Sequence, residues 1–331
     1  MKKIRTTLIL VICIMPLSIL AIFGPNVSEL DGKELKWEDG AYGYHVMFKS
    51  LLENLQADSG NPQADACKNS STYTLDLAHI PSDALVSQAF LIWAGAQPIA
   101  KVNDITDNEV TLSFTSTDSS ISETQVIKGK KAYKISEAAG FEFDAFKDSD
   151  NPNHSYFSYR VDVTEFFKNI QREGRELGLE YDGYSLYGDY MLSDLECAND
   201  SSYVGSTAMV SSWALLIIYS STDISPKKIY VYDGFKESFH ELSEIGITGF
   251  EFPTDPKIRI TIVTHEGDPN LAVLENPHGG PAISEGLQVQ GDSPEWLPLW
   301  NVCNPENFET NGITTLYYTE IYNSISSVYG W

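Results

Sequence analysis

The stretch Ser211–Phe235, SSWALLIIYSSTDISPKKIYVYDGF, restricts the folds open to this chain more than any other. Trp213–Tyr219 is an unbroken run of aromatic and aliphatic residues bounded by serines, too short for a membrane helix. Such a run predicts a strand buried on both faces, in the middle of a sheet. A turn-rich loop with Pro226 follows, and then KKIYVYDGF, where Ile229 and Val231 alternate and Asp233-Gly234 predicts a tight bend. The expectation is an antiparallel pair, Trp213–Tyr219 beside Ile229–Tyr232, at the core of an all-β domain.

The flanking sequence supports that class. Tyr73–Leu77 alternates strictly, Pro81 breaks the pattern, and Ala84–Ala96 supplies a second buried run centred on Phe90–Trp93. Val110–Phe114, Thr124–Ile127, Ala132–Ile135, Tyr156–Val163, Lys257–Thr264, Gly286–Val289 and Ile313–Tyr318 are further candidate strands, with polar and turn-forming tracts between them. Short strands at this spacing predict a sandwich or barrel instead of βαβ units. Two helices are expected at the periphery. Tyr44, Phe48, Leu51, Leu52 and Leu55 fall on one helical face, and Thr164 or Asp162 is placed to cap a helix ending near Gly174. The fold expected is an antiparallel β-sandwich, jelly-roll-like, with one or two short peripheral helices.

Residues 1–24 have the organisation of an export signal: Lys2, Lys3 and Arg5, then the apolar run Leu8–Phe23. Ala21 is the candidate last residue before cleavage, and an uncleaved anchor is the alternative. Residues 25–60 then form an N-terminal segment with the amphipathic helix, and 61–331 a single sandwich domain. The net charge is −24, and −27 without the first 24 residues, so a nucleic-acid partner is not expected. An acidic exported chain with no membrane span after signal removal fits an extracellular or cell-surface location. Export permits a disulfide among Cys67, Cys197 and Cys303. Cys67–Cys197 ranks first of the three pairings, since both lie in polar loop sequence ahead of a strong apolar strand.

No G-x-S-x-G, Walker loop, H-E-x-x-H or zinc-finger spacing occurs, so the common hydrolase, nucleotide and zinc readings have no motif behind them. The acids that stand out are Asp233, Glu266, Asp268 and Asp292, each at a strand end and close to glycine. Converging carboxylates could hold Ca²⁺ or form a glycosidase pair; separate Asp-Gly and Gly-Asp turns are the plainer reading. Gly178–Met191 carries Tyr181, Tyr184, Tyr187 and Tyr190, one tyrosine every third residue. A twisted strand covering a sheet face accounts for them, and an exposed aromatic platform for a glycan or protein partner is the sharper alternative.

Taken together, S-W-A-L-L-I-I-Y at Ser212–Tyr219, Y-V-Y-D-G-F at Tyr230–Phe235, E-G-D at Glu266–Asp268, G-D at Gly291–Asp292 and E-I-Y-N-S-I-S at Glu320–Ser326 resemble an uncharacterised family of secreted bacterial surface proteins. F-L-I-W-A-G at Phe90–Gly95 and D-V-T-E-F-F at Asp162–Phe167 look like that family's early strand and helix. The resemblance implies an exported sandwich module with no established activity. This chain stops at Trp331, where such proteins usually continue, which bears on the completeness of its last strand and on cell attachment. The role expected is a non-enzymatic surface module for adhesion, matrix or envelope contact. The alternative is a secreted carbohydrate-active enzyme using a carboxylate pair.

Overall fold

The computed structural model describes residues 4–14, 41–53, 66–98, 107–129, 154–195, 211–225, 228–238, 243–246, 258–263, 286–291, 297–301, 313–318 and 325–330. In chain order the first strands are β1 (Ile4–Ile14), β2 (Tyr42–Ser50), β3 (Leu52–Glu53), β4 (Ala66–Cys67), β5 (Ser70–Leu75) and β6 (Leu85–Pro98). They are followed by β7 (Glu109–Ser116), β8 (Ser122–Lys128), β9 (His154–Asp162), helix α1 (Thr164–Glu176), β10 (Gly188–Ser193) and β11 (Ser211–Ser220). The last strands are β12 (Lys228–Ser238), β13 (Ser243–Gly246), β14 (Ile258–Val263), β15 (Gly286–Gly291), β16 (Leu297–Asn301), β17 (Ile313–Tyr318) and β18 (Ile325–Gly330). Every described strand pairing is antiparallel. No described helix is long and apolar enough to cross a membrane, which leaves strands unaddressed.

The chain divides into two compact units. The first comprises Ala41–Leu55 and Gln63–Ser225 and is a β-sandwich with the sheet orders β2-β11-β6-β9 and β5-β10-β7-β8. Trp93, Trp213, Leu215 and Ile217 from one sheet share a core with Leu112, Phe114, Tyr190 and Leu192 from the other. β11 is buried from Ser211 to Tyr219, as its composition predicts. Trp213 faces Trp93 across the β11–β6 pair, and Trp93 faces Tyr159 of β9 with the rings stacked. Both indole N–H groups donate, that of Trp213 to Ser71 Oγ and that of Trp93 to the Asp107 carbonyl, each at 2.8 Å. The most apolar side chains therefore enter the core without an orphaned polar atom.

The partners of β11 differ from expectation. Its two edges are taken by β2 and β6, which leaves no edge for Ile229–Tyr232. That segment lies in β12, pairs with β1 and belongs to the second unit. The helix expected across Tyr44, Phe48 and Leu51 is also overturned, because Tyr42–Ser50 is strand β2 along one side of β11. Tyr44, Val46 and Phe48 are all buried, and the period of two through Val46 prevails because β11 offers an edge to pair with. Leu55 lies outside the described residues.

Helix α1 follows β9 as expected and continues along the sheet. The pairing of β6 with β9 begins at Phe90, so Leu85–Ala89, paired with β11 on one side, needs partners for the backbone groups on the other. Gln171 accepts from Val86 N–H at 3.1 Å and donates to the Ala84 carbonyl at 2.8 Å. Thr164 Oγ1 accepts from Ala89 N–H at 3.0 Å, and Val163 N–H donates to the Ala89 carbonyl. The helix thus covers an open strand edge. Its N-cap is Val163, while Asp162 receives the Thr164 N–H at 2.9 Å; the helix runs past Gly174 to Glu176.

The second unit comprises Met1–Gly40, Gln56–Pro62 and Pro226–Trp331, with sheet orders β12-β1-β14-β17 and β13-β18-β15-β16. Here the apolar run of the export reading forms β1, between β12 and β14. Asp233 and Gly234 lie inside β12 opposite Ile9 and Leu8, so the bend expected at Asp233-Gly234 is absent. With β1 as a continuous apolar partner, the ladder runs straight through them.

Candidate binding surface

The tyrosine spacing has a cause that the sequence reading assigned to the wrong element. After α1 the backbone reverses at Gly178, whose φ of +80° only glycine adopts without strain. Gly178 N–H donates to the Arg175 carbonyl and Leu179 N–H to that of Gly174, the two bonds of a Schellman close. Asp182–Leu186 then forms a 3₁₀ helix. Residues three apart eclipse on such a helix, so Tyr181, Tyr184 and Tyr187 rise on one side of it. Ring centres are 5.6 Å apart for Tyr181–Tyr184 and 6.0 Å for Tyr184–Tyr187, both edge to face. A period of three is therefore the signature of the 3₁₀ turn, not of a twisted strand.

The turn is held on several sides. Arg175 pairs with Asp182 at 2.7 Å, Ser185 Oγ donates to the Asp182 carbonyl at 2.6 Å, and Gly183 N–H donates to the Ser82 carbonyl at 2.8 Å. A side chain at Gly183 would run into the carbonyls of Pro81 and Ser82. Tyr187 O–H donates to the Ile80 carbonyl at 2.9 Å, so the turn sits on the loop joining β5 to β6. Burial, helped by Tyr184, Asp76 and Asp83, pushes the Tyr187 phenol up to about 12, which keeps it a hydrogen-bond donor.

Exposure sorts the four tyrosines. Tyr181 and Tyr184 are 42% and 40% exposed, Tyr187 is half-buried, and Tyr190 is fully buried. Tyr190 stacks on Phe167, donates to the Leu186 carbonyl and belongs to the core, so the proposed platform loses it. Period-two strand β10 takes over from the 3₁₀ turn at Gly188, and this turns the fourth tyrosine inward. Acidic groups surround the exposed pair. The Tyr181 hydroxyl donates to the Glu180 carboxylate, and that bond and the carboxylate's charge raise the phenol, with Asp223 adding to the effect. Asp83 accepts from Thr222 N–H and Oγ1, both at 2.6 Å, and from Ser221 Oγ. Desolvation pushes the Asp83 carboxyl up, but these bonds outweigh it and hold the group below the usual range.

Asp233 is in β12, and Glu266, Asp268 and Asp292 lie outside the described residues. Cys67 is in β4 opposite Leu52, while Cys197 and Cys303 lie outside the described residues.

A second cluster went unseen in the sequence. His45 of β2 and His79 of the β5–β6 loop have ring centres 4.9 Å apart, and both contact Tyr73 of β5. His45 Nε2 is 3.1 Å from Tyr73 Oη, and His79 Nδ1 is 2.8 Å from Asp76 Oδ1. No linear motif joins residues 45 and 79; only the meeting of one sheet's edge strand with the other's does. The chain matches no family model and no curated protein.

Proposed function

We propose that this chain is an exported, non-enzymatic module that meets a protein or glycan partner outside the cell or at its surface through the face built on Tyr181 and Tyr184. The observation that carries the reading is a pair of exposed tyrosines on a turn anchored by Arg175–Asp182 and Gly183–Ser82. Aromatic rings fixed before binding offer apolar area at little entropic cost, which suits a sugar face or a partner side chain. The basic start and apolar run of residues 1–24, the charge of −24 and the resemblance to secreted surface proteins support the location. The carboxylate-pair enzyme reading depends on Asp233, Glu266, Asp268 and Asp292, of which only Asp233, in β12, lies among the described residues.

The test compares the wild-type chain with a Tyr181→Ala/Tyr184→Ala variant on a glycan array and on immobilised cell-envelope and matrix preparations. Binding by the wild type that falls about tenfold or more in the variant supports the proposal. Equal retention of both chains overturns it. Separate acidic turns are the reading kept here, so a melting temperature unchanged by EDTA and by millimolar Ca²⁺ is the expected result, and a rise with Ca²⁺ would favour a calcium site instead.

A further inference from the structure

We propose that the partner of the Tyr181–Tyr184 face is a protein segment carrying arginine or lysine, which sets its basic groups against the carboxylates around the two rings. The inference rests on the binding reading of this face and names its partner. Three segments of chain meet there. Gly183 N–H donates to the Ser82 carbonyl at 2.8 Å and Tyr187 O–H to the Ile80 carbonyl at 2.9 Å, which fixes the 3₁₀ turn to the β5–β6 loop. Asp83, the next residue of that loop, accepts from Ser221 Oγ and from Thr222 N–H and Oγ1, which brings up the loop after β11.

The charge of these segments is of one sign. Ile80–Asp83, Glu180–Tyr187 and Ser221–Ser225 contain Asp83, Glu180, Asp182 and Asp223 and no lysine or arginine. Arg175 reaches the turn from α1, but Asp182 holds it at 2.7 Å, so that pair is neutral by itself. Asp83, Glu180 and Asp223 remain, the last two exposed. Their charge falls on the rings. The bond to Glu180, its charge and then that of Asp223 raise the Tyr181 phenol, while burial followed by Tyr184, Asp76 and Asp83 raises that of Tyr187.

That field sorts the partners open to an aromatic face. A neutral sugar can hydrogen-bond a carboxylate but gains nothing from its net charge. A guanidinium or ammonium gains from both kinds of group: it pairs with the carboxylate and is attracted to an aromatic face within about 6 Å. Tyr181 and Tyr184 are exposed, so an incoming side chain reaches them without any rearrangement of the turn. An acidic segment is repelled by the same carboxylates, so the charge selects the partner as well as attracting it.

The test applies the fluorescently labelled full chain to an array of randomised-sequence peptides and, in parallel, to neutral glycans. The peptides retained should be enriched in arginine and lysine, and replacing their arginines by citrulline should weaken binding in solution at least about tenfold. Glu180→Gln/Asp223→Asn should weaken it by a similar factor; glutamine still accepts from the Tyr181 hydroxyl, so the ring keeps its support. Glu109→Gln/Glu165→Gln removes the same charge at the end of β7 away from Tyr187 and the end of α1 away from Arg175, and should change little. Affinity should also fall as salt shortens the screening length from about 10 Å at 0.1 M to about 3 Å at 1 M. Failure to retain basic peptides, with or without glycan binding, or equal weakening by both acid pairs, overturns the proposal. A ligand lost in Tyr181→Ala/Tyr184→Ala but kept in Glu180→Gln/Asp223→Asn overturns the basic partner and leaves the face standing. A ligand kept in the tyrosine variant overturns the face itself.

Discussion

Tyr184 stands between Tyr181 and Tyr187 and makes an edge-to-face contact with each. Its own side chain is substantially exposed, so Tyr181→Ala and Tyr184→Ala should leave the melting temperature within a few degrees of wild type, at a cost of roughly 0.5 kcal/mol. Gly183→Ala should behave differently, because a methyl group there meets two backbone carbonyls that cannot swing aside. A loss of about 1–3 kcal/mol by urea unfolding is expected. Asp118 gives a pH test. Hydrogen bonds from Ser120 and Ser116 lower its carboxyl to about 2, so its folded value lies below the ordinary one. Its stabilising contribution is complete above about pH 4 and is lost as the pH falls towards 2. Acid titration of wild type and Asp118→Asn should show two stability curves that converge over that window.

Strand β11 is the element with most at stake. Leu216 is buried between Phe90 and Val46, its partners on either side. Leu216→Asp buries a carboxylate with no partner of opposite charge and should cost several kcal/mol, enough to abolish cooperative thermal unfolding. Gln171→Ala would strand Val86 N–H and the Ala84 carbonyl, at about 1–3 kcal/mol, while the helix itself loses little. The same elements show what the residues alone disclosed. β11, β6, β9 and α1 were legible because long apolar runs and a capped amphipathic segment have one local solution. β2 was not, since Tyr44, Phe48 and Leu51 satisfy a helical face as well as Tyr44, Val46 and Phe48 satisfy a strand. Its pairing with β11 decides the matter, and that partner lies far along the chain. The tyrosine repeat was visible as a pattern but assigned to the wrong geometry. The His45–His79 pair was invisible because sheet register, not sequence, brings the two rings together.

At the level of the whole molecule, the export reading and β1 meet. Removal of residues 1–24 would take β1 from its sheet and leave the facing edges of β12 and β14 unpaired. If the proposed export signal is removed, mass spectrometry of the native protein should find no peptides from Met1–Ala21, and an intact N-terminus in the membrane fraction would count against cleavage. Non-reducing peptide mapping should find Cys67 joined to Cys197, and a crosslinked peptide containing Cys303 would overturn that pairing. The place of β11 in its sheet has a further consequence, one of timing. Its flanking strands, β2 and β6, are complete by Pro98, yet the strand that belongs between them begins only at Ser211. At about 5–20 residues per second, synthesis of the intervening stretch takes roughly 6–20 s. During that interval the sandwich has no centre, and a chain released before Ser220 would expose the edges of both flanking strands to any neighbour able to pair with them.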